Sequence, residues 1–118
     1  MPTASRSSII IERESTMIPK KGITPHPGEM LSEEFLKPMG ISQAAFSRHI
    51  GVDVATLSAV INGRRDMTPT MIMKISMALG VEPETWLNIQ ALHHFTRTRE
   101  ALRAKQRLPK IKLLPVEA

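Results

Sequence analysis

Residues 41–65 read ISQAAFSRHIGVDVATLSAVINGRR, and this stretch decides the fold. Ser42 and Asp53 are good N-cap residues, each followed by about two turns of helix-compatible sequence. Gly51-Val52-Asp53 lies between, the short glycine-bearing turn that joins two helices at a steep angle. Glycine there takes positive φ without a Cβ clash. Phe46 and Ile50 face inward from the first helix, Val52 plugs the turn, and Ser47 is small where the second helix approaches. Asn62-Gly63 breaks the second helix.

With Leu57 set inward and about 100° per residue, Val60 and Ile61 flank it within about 60°. Ala55, Ala59 and Asn62 then point outward, with Thr56 and Ser58 on the shoulders. A face of small side chains without long charges suits the DNA major groove, where alanine and threonine methyls meet thymine methyls and asparagine pairs with adenine. Gln43 starts the preceding helix, where it reaches a phosphate, and Arg64 and Arg65 follow the reading helix as phosphate contacts. The candidate DNA-binding set is Gln43, Asp53, Ala55, Thr56, Ser58, Ala59, Asn62, Arg64 and Arg65. A helical pair of this kind also serves as plain scaffold, so pattern alone leaves both uses open.

Outward from this stretch, three more helices are expected. The first runs from about Pro27 to Leu36, with Met30, Leu31, Phe35 and Leu36 as its apolar stripe and Pro38 and Gly40 as its stop. Another opens at Thr68-Pro69, buries Met71, Ile72, Ile75 and Leu79, and closes at Gly80. The last opens at Pro83, uses Trp86 as a core anchor, and continues to about Arg107 before Leu108-Pro109. The fold class is all-α. Its divisions are a flexible arm at 1–22, a DNA-binding domain at 23–95, and a basic helix end with an extended tail at 96–118. Met17 offers an alternative start to the chain.

Composition agrees. The 118 residues are 42% hydrophobic but only 3% aromatic, with eight methionines and no cysteine. That favours an aliphatic helical core and excludes disulfides and thiolate metal sites. No apolar run is long enough to span a bilayer, so a cytoplasmic protein is expected. The net charge of +5 is poor support for DNA binding. Segments 1–22, 23–66, 67–96 and 97–118 contribute +2, −1, −1 and +5, so the excess lies in the tail. The basic run from Arg97 to Lys112 reads first as a solvated helix end, with a phosphate arm or a dimer contact as alternatives.

Glu29, Glu33 and Glu34 form either a solvated face or a docking surface. His26-Pro27-Gly28 reads as a turn into the first helix, with partner contact as the alternative. His93 and His94 diverge by about 100° on a helix and do not share a metal. No nucleophile, paired carboxylates or phosphate-cradling loop stands out, so neither an enzyme nor a cofactor is expected.

The order Ile41-Ser42-Gln43, Phe46-Ser47, Gly51-Val52, Leu57-Ser58 and Val60-Ile61-Asn62-Gly63 resembles the Cro/C1 (XRE-type) helix-turn-helix family. His26-Pro27-Gly28-Glu29-Met30-Leu31 before it and Trp86-Leu87-Asn88-Ile89-Gln90 after it resemble the HigA (VapI-type) antitoxins over about residues 24–95. The chain departs from that pattern at Ser47, usually alanine, and at His93-His94-Phe95. It also has Met73-Lys74-Ile75 where an Arg-Leu pair is common. The resemblance implies a five-helix, lambda-repressor-like domain, repression of its own operon, and neutralisation of a HigB-type mRNA-cleaving toxin. A homodimer on two-fold operator DNA is expected, because one such helix reads few bases. A solitary regulator without a toxin, or a mainly protein-binding inhibitor, are the alternatives.

Overall fold

The structure, a computed structural model, describes residues 18–115. Five helices follow one another without a strand among the described residues. Helix α1 is a continuous rod of three parts: α-helical Pro27–Met30, π-helical Leu31–Leu36 and α-helical Lys37–Met39. Then come α2 (Gln43–Ile50), α3 (Val54–Ile61), α4 (Pro69–Leu79) and α5 (Pro83–Ala104).

The expected end of α1 at Leu36 is corrected by the structure. The helix passes through Pro38 and stops at Gly40, which takes φ 67°. A proline inside a helix lacks an N–H and crowds the carbonyl four residues back. The wide turn just before it, in which Lys37 N–H reaches Ser32 O, shifts the bonding register from four residues to five. Helix α5 also ends earlier than Arg107. Gln106 takes φ 55°, and the N–H groups of Gln106 and Arg107 bond back to the carbonyls of Arg103 and Leu102. This is a Schellman closure built on glutamine where glycine is usual.

Leu31, Leu36, Phe46, Ile50, Leu57, Val60, Met67, Met71, Ile72, Ile75 and Trp86 form one buried cluster. Trp86 lies against Phe35 at 5.6 Å between ring centroids, which locks α5 onto α1. Ahead of α1, Thr24 N–H donates to the fully buried Thr96 hydroxyl at 2.9 Å. Gly22 N–H donates to Glu100, and Arg103 donates to Lys20 O. Residues 20–24 therefore lie along α5. The rest of the expected arm, residues 1–17, falls outside the described residues.

One contact sets the angle of α3. A Cβ built on Gly28 would lie 1.8 Å from Val60 O and 2.8 Å from Ile61 Cα. The first turn of α1 thus rests directly on the backbone of α3, and no side chain can fit between them. Gly28→Ala must push these two backbones apart, an overpacking cost at or above the usual range of about 3 kcal/mol. Chemical denaturation should show that loss. A change below about 1 kcal/mol would mean that the helices separate freely.

His26 caps α1. Its Nδ1 accepts from Gly28 N–H at 2.9 Å, so the neutral ring carries its proton on Nε2, 3.7 Å from Asp66 Oδ1. Burial holds its pKa below the ordinary 6.5, aided by nearby His93 and His94 and opposed by Asp66. Because the folded value is depressed, the unfolded chain takes up the proton first as pH falls. The stability this ring contributes is complete above pH 6.5 and lost through the window beneath it. Melting temperature should drop between pH 7.5 and 5.5, and His26→Asn, which keeps a capping oxygen, should flatten that slope. An equal slope in the variant would assign the loss to another group.

Candidate nucleic-acid interface

Helices α2 and α3 are each started by a side chain and joined by a strained turn that only glycine takes easily. Ser42 Oγ accepts from Ala45 N–H at 3.1 Å. Gly51 closes α2 at φ 71°, and Val52 N–H bonds to Ser47 O at 2.9 Å. Ser47 is buried, with its hydroxyl donated to Ala44 O. Serine at this usually alanine position therefore keeps its polar group satisfied. Lys74 Nζ donates to Gly51 O at 3.2 Å, so the lysine in Met73-Lys74-Ile75 provides a polar tie from α4 to the turn.

Asp53 Oδ2 accepts from both Ala55 and Thr56 N–H groups, at 3.1 and 3.2 Å. Its carboxylate is engaged in starting α3. Along α3, Ala55 is exposed, Thr56, Ser58 and Ala59 are half-buried, and Asn62 is exposed at the C-cap. Leu57 and Val60 are fully buried on the opposite side. The outer surface of Val54–Ile61 carries no charged side chain. Asn62 Nδ2 donates to Ser58 Oγ at 3.3 Å, so its amide lies back along the helix. Gln43 is half-buried at the first position of α2.

Sequence reasoning missed Val54, 46% exposed at the first turn of α3. About 60° from Leu57 by helical period, it falls beside the inward positions and so was not singled out.

Arg64 and Arg65 are both exposed, on a loop held at its two ends. On one side Gly63 N–H bonds to Val60 O and Arg64 N–H to Ala59 O. On the other, Gln90 grips Met67 twice: Met67 N–H donates to Oε1 at 2.7 Å and Nε2 donates to Met67 O at 3.1 Å. His94 Nε2 lies 2.9 Å from the Asp66 carboxylate. Gln90 and His94 are thus positioning residues for the arginine loop, and nothing in a linear pattern pairs them with residues 66 and 67. The arrangement is a small-residue ridge with two guanidinium groups beside its end. It fits a groove that presents base edges and, at its rim, phosphates.

Among the described residues no three His, Asp or Glu side chains are grouped to hold a metal ion, and no helix is long and apolar enough to cross a membrane.

Residues 33–86 match the helix-turn-helix family. Antitoxin HigA-1 of Vibrio cholerae is 49% identical over 63 residues, 53% of this chain and 59% of the Vibrio protein. The chain therefore spans less than two thirds of that relative's length. Antitoxin GraA in complex with its operator superposes with a TM-score of 0.70 at 30% identity, over 82% of this chain and 98% of GraA. Pseudomonas aeruginosa antitoxin HigA with the higBA promoter gives 0.68 at 25% identity, over 77% and 99%. With the helix pair, its capped turn and this likeness across nearly the whole of GraA, the chain belongs to the HigA (VapI-type) antitoxin family of XRE-type helix-turn-helix proteins.

Proposed function

We propose that the chain is a cytoplasmic, sequence-specific DNA-binding repressor, a homodimer that inserts α3 into successive major grooves of its own operator. The observation that carries this reading is the uncharged, small-residue face of α3, held rigidly by the Gly28 contact and flanked by exposed Arg64 and Arg65. Ala55, Thr56, Ser58, Ala59 and Asn62 face the bases, Val54 adds an apolar contact at the start of the helix, and Gln43 reaches a phosphate. Asp53 acts by fixing the start of α3. To read adenine, Asn62 turns its amide from Ser58 to the base, where a bidentate pair discriminates by about 1–3 kcal/mol. The complexes of GraA with its operator and of Pseudomonas aeruginosa HigA with the higBA promoter support the reading.

Antitoxin action is the second half of the proposal: the same chain captures and neutralises an mRNA-cleaving toxin encoded beside it. The relatives named antitoxins support this part. Co-purification from the native operon, followed by footprinting on its promoter, tests both halves. A protected two-fold site with no co-purifying ribonuclease would leave a solitary regulator.

Arg64→Ala with Arg65→Ala should weaken binding to every sequence. The slope of log K against log salt should become shallower by about 1 for each phosphate contact removed. Asn62→Ala should mainly lower discrimination between operator and scrambled DNA. Titrations at several salt concentrations separate the two effects, and unchanged affinity in the double arginine variant would reject this docking geometry.

A further inference from the structure

His26, 7% exposed, sits where α1, the end of α3, the arginine loop and α5 come together. Its Nδ1 accepts from Gly28 N–H at 2.9 Å, which caps α1. Its Nε2 lies 3.7 Å from Asp66 Oδ1 on the arginine loop, beyond hydrogen-bond length, and has no other partner. The ring meets His93 of α5 edge-on, with 5.1 Å between centroids. A Cβ built on Gly63 would lie 3.9 Å from His26 Cγ, so the ring also backs onto the end of α3. The neighbours extend the cluster: His94 Nε2 is 2.9 Å from the Asp66 carboxylate, and His93 Nδ1 donates to Thr24 O at 2.7 Å.

A neutral imidazole has one acceptor nitrogen, and an imidazolium has none. The cap on α1 is therefore open to the neutral ring alone. A proton on Nδ1 would set N–H against the Gly28 N–H, and the ring must leave the cap. The charged ring is drawn toward Asp66 and repelled by His93 and His94 when these are charged too. Those three are the charged or titratable groups acting on it; among the described residues, α1, α3 and the segment ahead of α1 add none. Burial opposes the charged ring most strongly and keeps it neutral into mildly acidic solution.

Both groups that the charged ring disturbs serve α3. Gly28, whose N–H loses its acceptor, is the residue seated on Val60 O and Ile61 Cα. Asp66, toward which the ring is drawn, is held by His94 and follows Arg65 directly in the chain.

We propose that His26 is a proton-operated latch on the α3 surface: the neutral ring holds the Gly28 seat and the arginine loop in register, and the charged ring releases both, so that acid frees the protein from its operator. This rests on the reading of the chain as a DNA-binding repressor and names a control on that same surface. The sign is opposite to the general one. Protonating histidines adds positive charge, which strengthens attachment to the phosphates of any sequence.

The test uses the full chain and the duplex found by footprinting on its own promoter. Fluorescence anisotropy at constant salt, between pH 7.5 and 5.0, compares that duplex with a scrambled one, with circular dichroism at each pH. Operator affinity should fall at least about threefold, and by no more than about tenfold per pH unit, the limit for one proton. Affinity for the scrambled duplex should hold or rise. His26→Asn, whose capping oxygen does not titrate, should bind operator as tightly as wild type at pH 7.5 and lose the fall. Operator affinity that rises in acid, a fall that persists in His26→Asn, or unfolding at the pH of release overturns the latch.

A second measurement needs neither a variant nor DNA. In isotope-labelled wild type, the amide NMR signals of Gly28, Arg64 and Arg65 should shift in step with titration of the His26 ring. Signals that ignore that titration overturn the latch, even where His26→Asn fails to fold. Amides that do shift, in a chain that binds no duplex at any pH, would sink the DNA reading and leave the proton-driven rearrangement standing.

Discussion

The structure depends on a contact in which nothing intervenes between two backbones. Gly28, in the first turn of α1, sits against the Val60 carbonyl and the Ile61 Cα. A hydrophobic contact between side chains adjusts by rotamer changes, whereas a backbone seat does not. It therefore fixes the distance and angle of α3 more sharply than the aliphatic core beneath it could alone. His26 guards the same turn by capping it, and the buried ring links that turn to the loop after α3 through Asp66. Helix α3 is held from above by α1, from below by Leu57 and Val60 in the core, and at both ends by its own caps.

Helix α5 supplies the second constraint. It grips the arginine loop through Gln90 and the exposed His94, and its inner face carries the segment ahead of α1 on Thr96 and Glu100. The two ends of the domain thus meet on one helix, although more than seventy residues separate Thr24 from Thr96 in the chain. Part of the basic run beyond Arg97 is used here. Arg99 and Arg103 both pair with Glu100, so these two charges are tied into the structure.

Much of this was legible in the sequence because local chemistry decided it. Ser42, Asp53 and Thr68 cap the helices they were expected to cap, and Gly51 and Gly80 take the left-handed closures. The inward positions of α3 follow from helical period. What was not legible depends on partners distant in the chain. Gly28 looks like part of a turn until Val60 is seen above it. Gln90 looks like a polar helix residue until Met67 is found in its grip. Pro38 reads as a helix stop unless a wide turn absorbs it, and Gln106 does not advertise the left-handed backbone it adopts. Of the proposed DNA face, the outward direction was readable, while Val54 and the folded-back amide of Asn62 were not.

The grip of Gln90 on Met67 is made by a neutral amide, and the seat of Gly28 on α3 is steric. Neither is weakened appreciably by mobile ions, whereas contacts between arginine and phosphate lose strength as counterions become abundant. These two parts of the frame, and the attraction that Arg64 and Arg65 exert in the proposed complex, therefore respond to ionic strength independently. In the proposed complex, a rise in salt strips the protein from the duplex with the α3 surface still assembled, ready to bind again when the salt falls.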